Sequence, residues 1–181
     1  GQAAIGWRGA ATTQPGQCLL YGVCRSQMGR PRDELSVITA WPNGHSAGDE
    51  RAFFANAGDD IISIDSHAMH PTLRPSEFTP PTRQGNFAFR WFETPAAHVE
   101  EFLQLCADAW PNFESAYDSQ VLGLWPLQSE HPDHIKTLLL PRRPDLAMWE
   151  RSKISASDTE REDRRTLARR YVRVEVAGLS T

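Results

Sequence analysis

NFAFRWFETPAAHVEEFLQLCADAW, residues Asn86–Trp110, decides the fold. Phe87, Phe89 and Trp91 alternate with Ala88, Arg90 and Phe92, and that period of two describes a strand with one strongly aromatic face. Val99, Phe102, Leu103, Cys106 and Trp110 then recur at helical spacing, behind Thr94 as an N-cap and Pro95 at the first helical position. The helix is expected to stop near Trp110, because Pro111 bars the residue before it from easy helical geometry.

Downstream, Val121–Leu127 and His134–Leu140 read as two antiparallel strands joined by a polar loop. Asp145–Lys153 begins a helix, Asp158–Arg170 continues or restarts one, and Tyr171–Val176 alternates as a last strand. The order strand, helix, strand, strand, helix, strand is a complete ferredoxin-like unit over residues 86–179.

A less complete copy precedes it. Cys18–Cys24 is an apolar run that suits a strand covered on both faces, and Glu34–Trp41 is a β-branched strand closed by Pro42-Asn43-Gly44. Asp49–Ala57 reads as a short helix capped by Gly58, and Ile61–Asp65 as a third strand. Tyr21-Gly22-Val23 sits in this half where Leu122-Gly123-Leu124 sits in the other, the mark of a degenerate internal repeat. Pro71, Pro75, Pro80 and Pro81 break the polar stretch between the copies. The division is therefore an incomplete repeat (1–70), a connector (71–85) and a complete repeat (86–179), in an α+β fold of tandem ferredoxin-like repeats. On this reading the first copy lacks its opening strand and long helix, which are expected upstream of Gly1 or partly within Gly1–Gln17.

The chain has 181 residues, 40% hydrophobic and 23% charged, enough to bury a core. A net charge of -4 gives no general electrostatic attraction to nucleic acid or anionic membrane, and no apolar run approaches the roughly 18 residues that cross a bilayer. Neither is expected as a partner. Cys18, Cys24 and Cys106 are odd in number and lack C-x-x-C spacing, so they read as buried free thiols in a cytoplasmic setting.

FAFRWFET, AAHVEEFLQLCADAWPNFE, VLGLWPL and above all DLAMWERSK resemble the NIPSNAP family of the dimeric α+β barrel superfamily. LLYGVCRSQ followed by ELSVITAWPN is similar to the same pattern's middle strands. The resemblance implies two ferredoxin-like sheets paired face to face, across a homodimer or within one chain. It implies no single chemistry, since the superfamily includes cofactor-free monooxygenases, haem enzymes and proteins of no established activity.

Trp91, Trp125 and Trp149 suit either an apolar ligand pocket or core packing. Arg90 and Arg151 offer guanidinium forks for a carboxylate, with surface ion pairs as the plainer reading, and Glu93 lies beside them in sequence pattern. His67 and His70 lie in a loop and supply too few ligands for a metal site. The Arg161–Arg173 run interleaves with acids and reads as a solvated helix face. The expectation is a small hydrophobic or aromatic ligand held between sheet and helix by Arg90, Trp91, Glu93, His98, Trp125, Trp149 and Arg151. Cofactor-independent oxygenase-type chemistry is one outcome, with no metal, no cofactor and no assignable catalytic residue. The alternatives are a non-catalytic oligomerising protein, and a haem enzyme using His98 or His134.

Overall fold

The computed structural model describes residues 18–41, 52–55, 60–127, 133–154 and 175–180. Among these residues six antiparallel strands form: β1 (Leu19–Met28), β2 (Leu35–Ala40), β3 (Asn86–Pro95), β4 (Gln120–Pro126), β5 (His134–Arg143) and β6 (Glu175–Ser180). Helix α1 (Val99–Tyr117) follows β3 after a single 3-10 turn, Ala96–His98, and α2 (Leu146–Ile154) follows β5. Strand order is β2-β1-β6-β3-β5-β4. Within the second repeat this places the last strand, the first, the third and the second side by side, as a ferredoxin-like unit requires. The β1–β2 hairpin sheet joins that four-stranded sheet through two residue pairs, Ser26 with Ser180 and Met28 with Leu179.

Far apart in strand order, β1 and β4 nevertheless touch, so the two sheets curl face to face. Tyr21, Cys24, Phe87, Leu122, Trp125, Leu138 and Leu140 form one buried cluster between them. On the other face of the larger sheet, Phe92, Val121, Leu124 and Leu139 pack under Phe102, Cys106 and Trp110 of α1. Alternation sends Phe87, Phe89 and Trp91 to the inter-sheet side and Phe92 to the helix side.

The repeat is written into the backbone as well as the residues. Both β1 and β4 carry a register shift immediately before their glycine, between Leu20 and Gly22 and between Val121 and Gly123. An extra residue at each bulge resets the alternation, which lets Leu122 and Trp125 both face the inter-sheet core. The two bulged residues meet across that core, where the Tyr21 hydroxyl donates to the Leu122 carbonyl at 3.4 Å. Pro141 lies opposite Val121 at the β4 bulge, where a missing N–H interrupts least, and β5 therefore runs past the expected stop at Leu140 to Arg143.

Burial pushes the Tyr21 phenol above its ordinary value of 10.0. The unfolded chain then ionises first, so this stability is fully present below pH 10 and is lost as pH rises through the folded value. Tyr21→Phe is expected to cost about 1 kcal/mol at neutral pH for the lost hydrogen bond. It should also flatten the decline in stability above pH 10, read by denaturant titration at several pH values.

Several expectations are corrected. Helix α1 continues through Pro111 to Tyr117, because the turn beyond the proline is held from outside by Arg74 and Val121, both bonded to Glu114. Thr94 does not cap it: Thr94 stays in the β3 ladder opposite Ile135, fully buried, and no side chain caps the 3-10 turn or α1. Ile61–Asp65 forms no strand, and Ile62 is 96% exposed. The edge of β4 is instead covered by residues 69–74, from the end of the first repeat into the connector. Met69 bridges Leu127, His70 and Thr72 donate their N–H groups to the Pro126 and Leu124 carbonyls, and Leu124 donates to Arg74. That segment wins because its backbone and the Thr72 hydroxyl both find partners on β4, whereas the isoleucine run finds none among the described residues. The last strand runs on past Val176 to Ser180, pairing Glu175 with Trp91 and residues 178–180 with Phe89, Ala88 and Phe87 of β3. Residues 171–174, Asp158–Arg170 and the ends of the Asp49–Ala57 helix lie outside the described residues; 52–55 are helical.

Candidate functional site

Trp91 stands on the inter-sheet face of β3, half-buried beside the core cluster rather than sealed inside it. The Lys136 ammonium lies 5.3 Å from the centre of its ring, carried there by β5, whose Leu138 pairs with Trp91. The His67 ring meets the same indole edge-on at 5.8 Å, with Asp65 3.7 Å from its Nε2. Glu93, two residues along β3 and directly opposite Lys136 in register, shares this face by alternation. An aromatic platform, a cation, a carboxylate and an imidazole thus share the partly exposed margin of the inter-sheet core. Phe78, Phe89 and Met69, like Trp91, are partly buried and pack against the same core cluster.

The other expected residues are distributed around this group. Trp125 lies on the same face but deeper, 4% exposed, edge-on to Tyr21 at 6.2 Å, where it fills core. Arg90 is on the opposite, helix-facing side of β3, its guanidinium carbon 5.4 Å from the centre of the Phe92 ring. His98 sits in the 3-10 turn, 3.7 Å from Glu101 and well exposed. Trp149 and Arg151 are on α2, which Asp145 caps by accepting the Met148 N–H at 2.6 Å. The structure therefore brings Trp91, Glu93 and Trp125 to one face and places Arg90, His98, Trp149 and Arg151 elsewhere. His134 opens β5 opposite Pro95.

Lys136 and His67 are the members that sequence reading missed. Lys136 had a signal: counting the hairpin register back from Leu138 and Leu140 puts it on the aromatic face. His67 had none, because its place depends on the path of an irregular segment.

Cys106 is excluded as a nucleophile. Burial on the core-facing side of α1 pushes its thiol up to about 12, outweighing the lowering by the Arg90 charge. It is therefore protonated at pH 8. Cys18 is also raised by burial, and all three thiols are buried. Ellman-type titration at pH 8 is expected to show no rapid reaction of the native protein and full reaction of all three thiols in denaturant. Among the described residues no three His, Cys, Asp or Glu side chains converge as a metal site, and no helix is long and apolar enough to cross a membrane.

No family model matches this chain, and no curated protein does. A crystal structure from Lactobacillus acidophilus NCFM, of a protein provisionally named a monooxygenase, is similar over 99% of this chain and 82% of that one, with a TM-score of 0.54 and 13% identity. That likeness shows the fold alone. The fold is α+β, of the dimeric α+β barrel type. Two related sheets that a dimer would supply separately are here supplied by one chain, the first repeat incomplete among the described residues.

Proposed function

We propose that this protein binds a small hydrophobic or aromatic molecule against Trp91 and supports oxygenase-type chemistry on it. The observation that carries this is the half-buried Trp91 ring in contact with both the His67 imidazole and the Lys136 ammonium at the margin of an aromatic core. A planar ligand stacks on an indole face at small entropic cost, and a few charged groups beside it fix its orientation. Glu93 and His67 are the groups in place to accept a proton from a bound molecule, and Lys136 the group to hold the resulting negative charge. Of the residues expected from sequence, Trp91 and Glu93 form the site and Trp125 its floor, with Arg90, His98, Trp149 and Arg151 outside it. Membership of the NIPSNAP branch and a cytoplasmic setting belong to the same proposal, supported by the DLAMWERSK segment and the buried free thiols respectively.

Titration with 1-naphthol, followed by tryptophan fluorescence, tests the reading. Trp91→Ala is expected to weaken binding by about tenfold or more while leaving the unfolding transition cooperative. Equal affinity in the two proteins would remove Trp91 from the site.

One observation favours a second reading, a non-catalytic assembly protein. The Trp125 indole lies directly over Gly123, so the deep part of the core is filled by the chain itself. Failure of any aromatic probe to bind would favour that reading.

A further inference from the structure

We infer that β2 and residues 61–68 border a seat for one added strand, an extended segment of a partner polypeptide with the chemistry of β3: aromatic side chains at alternate positions and a basic one between them. The repeat supplies the geometry. Val37 and Ile38 pair with Val23 and Gly22 as Leu139 and Leu140 pair with Leu124 and Gly123, so β2 is the counterpart of β5. By the same offset Ser26, which pairs with Ser180 of β6, answers to Leu127, which pairs with Met69. Residues 64–69 are therefore the counterpart of β6, with Ile64 standing for Glu175. In the second repeat β3 lies between β5 and β6 and pairs with both. Its counterpart would lie between β2 and residues 64–69, and among the described residues no strand does. β2 ends the strand order, and residues 60–68 are all exposed, Ile62 at 96%. At the repeat's offset of 101 residues Gly1–Gly16 aligns with α1 rather than with β3, so that stretch does not supply the strand. Leu35–Ala40 carries no charge and no proline, the devices that keep a sheet edge from accepting another strand. Charge favours the occupant named. Arg90 of β3 faces Val176 and Ala177, between the pairs Trp91–Glu175 and Phe89–Gly178, and the counterparts of those two residues are Asp65 and Ser66. The Asp65 side chain is 89% exposed, so a β3-like strand sets its arginine beside an available carboxylate.

The probe is a fluorescein-labelled peptide of the β3 sequence, NFAFRWFETP, titrated with the whole chain and followed by anisotropy beside a scrambled control. The β3 peptide alone is expected to bind, and to raise hydrogen-exchange protection in residues 35–40 and 61–68 together. Ile62→Pro removes a backbone donor at an exposed position, and should weaken binding about tenfold with the unfolding midpoint unchanged. A charge swap tests the register. A peptide carrying Arg90→Glu should bind the unsubstituted chain about fivefold more weakly and regain that affinity for the Asp65→Lys chain. No binding, equal binding of the scrambled peptide, protection of only one of the two segments, or a charge swap without effect overturns the inference. So does a chain that is dimeric until Ile62→Pro is introduced, since a second copy then holds the seat.

Discussion

Trp125→Ala is expected to destabilise the protein by about 3–5 kcal/mol, the range for removing a large buried aromatic. Trp125 is 4% exposed and sits at the meeting of the two repeats, edge-on to Tyr21 from the opposite sheet. Its ring lies so close over Gly123 that a Cβ there would stand 2.2 Å from the indole carbons. No real contact is that short, so Gly123→Ala must displace the ring and is expected to cost about 1–3 kcal/mol. The two effects share one cause and should not add. In a double-mutant cycle, the cost of Gly123→Ala should largely vanish once Trp125 is alanine, because the atoms it strikes are gone. Chemical denaturation of the four proteins checks this, and additive costs would mean the glycine is needed for its bulge backbone and not for the ring above it.

That pair shows what was legible in the sequence. Leu122-Gly123-Leu124 and Tyr21-Gly22-Val23 announced a repeat because both strands carry the same bulge, and a bulge is a local property. The aromatic alternation of β3 and the apolar stripe of α1 were legible for the same reason. What escaped was set by partners distant in sequence. Pro111 argued for a helix end on local sterics, and only the contacts of Glu114 with the connector and β4 show why α1 continues. Ile61–Asp65 has the composition of a strand, but a strand needs an edge, and residues 69–74 hold the one on β4. The site divides in the same way. Trp91 and Glu93 followed from alternation along one strand, Lys136 required the register of a second, and His67 required the path of a loop.

Glu114→Ala is the other large effect, expected to cost about 3 kcal/mol, at the lower end for breaking a buried ion pair because both partners are partly exposed. One carboxylate does three things. Its two oxygens accept from the Arg74 guanidinium at 2.6 and 3.2 Å, and Oε1 also accepts the Val121 N–H at 2.7 Å. Arg74 in turn donates to the Val121 carbonyl at 3.0 Å and lies 5.1 Å from the centre of the Trp110 ring. The last turn of α1, the first residues of β4 and the segment along the β4 edge are therefore fastened at a single point, just beyond Pro111. Removing the carboxylate strands a guanidinium and a backbone N–H together, and each loses a partner that water replaces poorly in a half-buried setting. Glu114→Gln keeps one acceptor oxygen, so it is expected to retain the Val121 bond, lose the charge pairing and cost less than alanine. Hydrogen exchange distinguishes the consequences: amides of residues 112–117 and 121–124 should lose protection together in Glu114→Ala, while those of β1 and β2 should not. Loss confined to the helix would mean that Pro111 alone sets its stability and that the edge segment is held by its backbone bonds to β4.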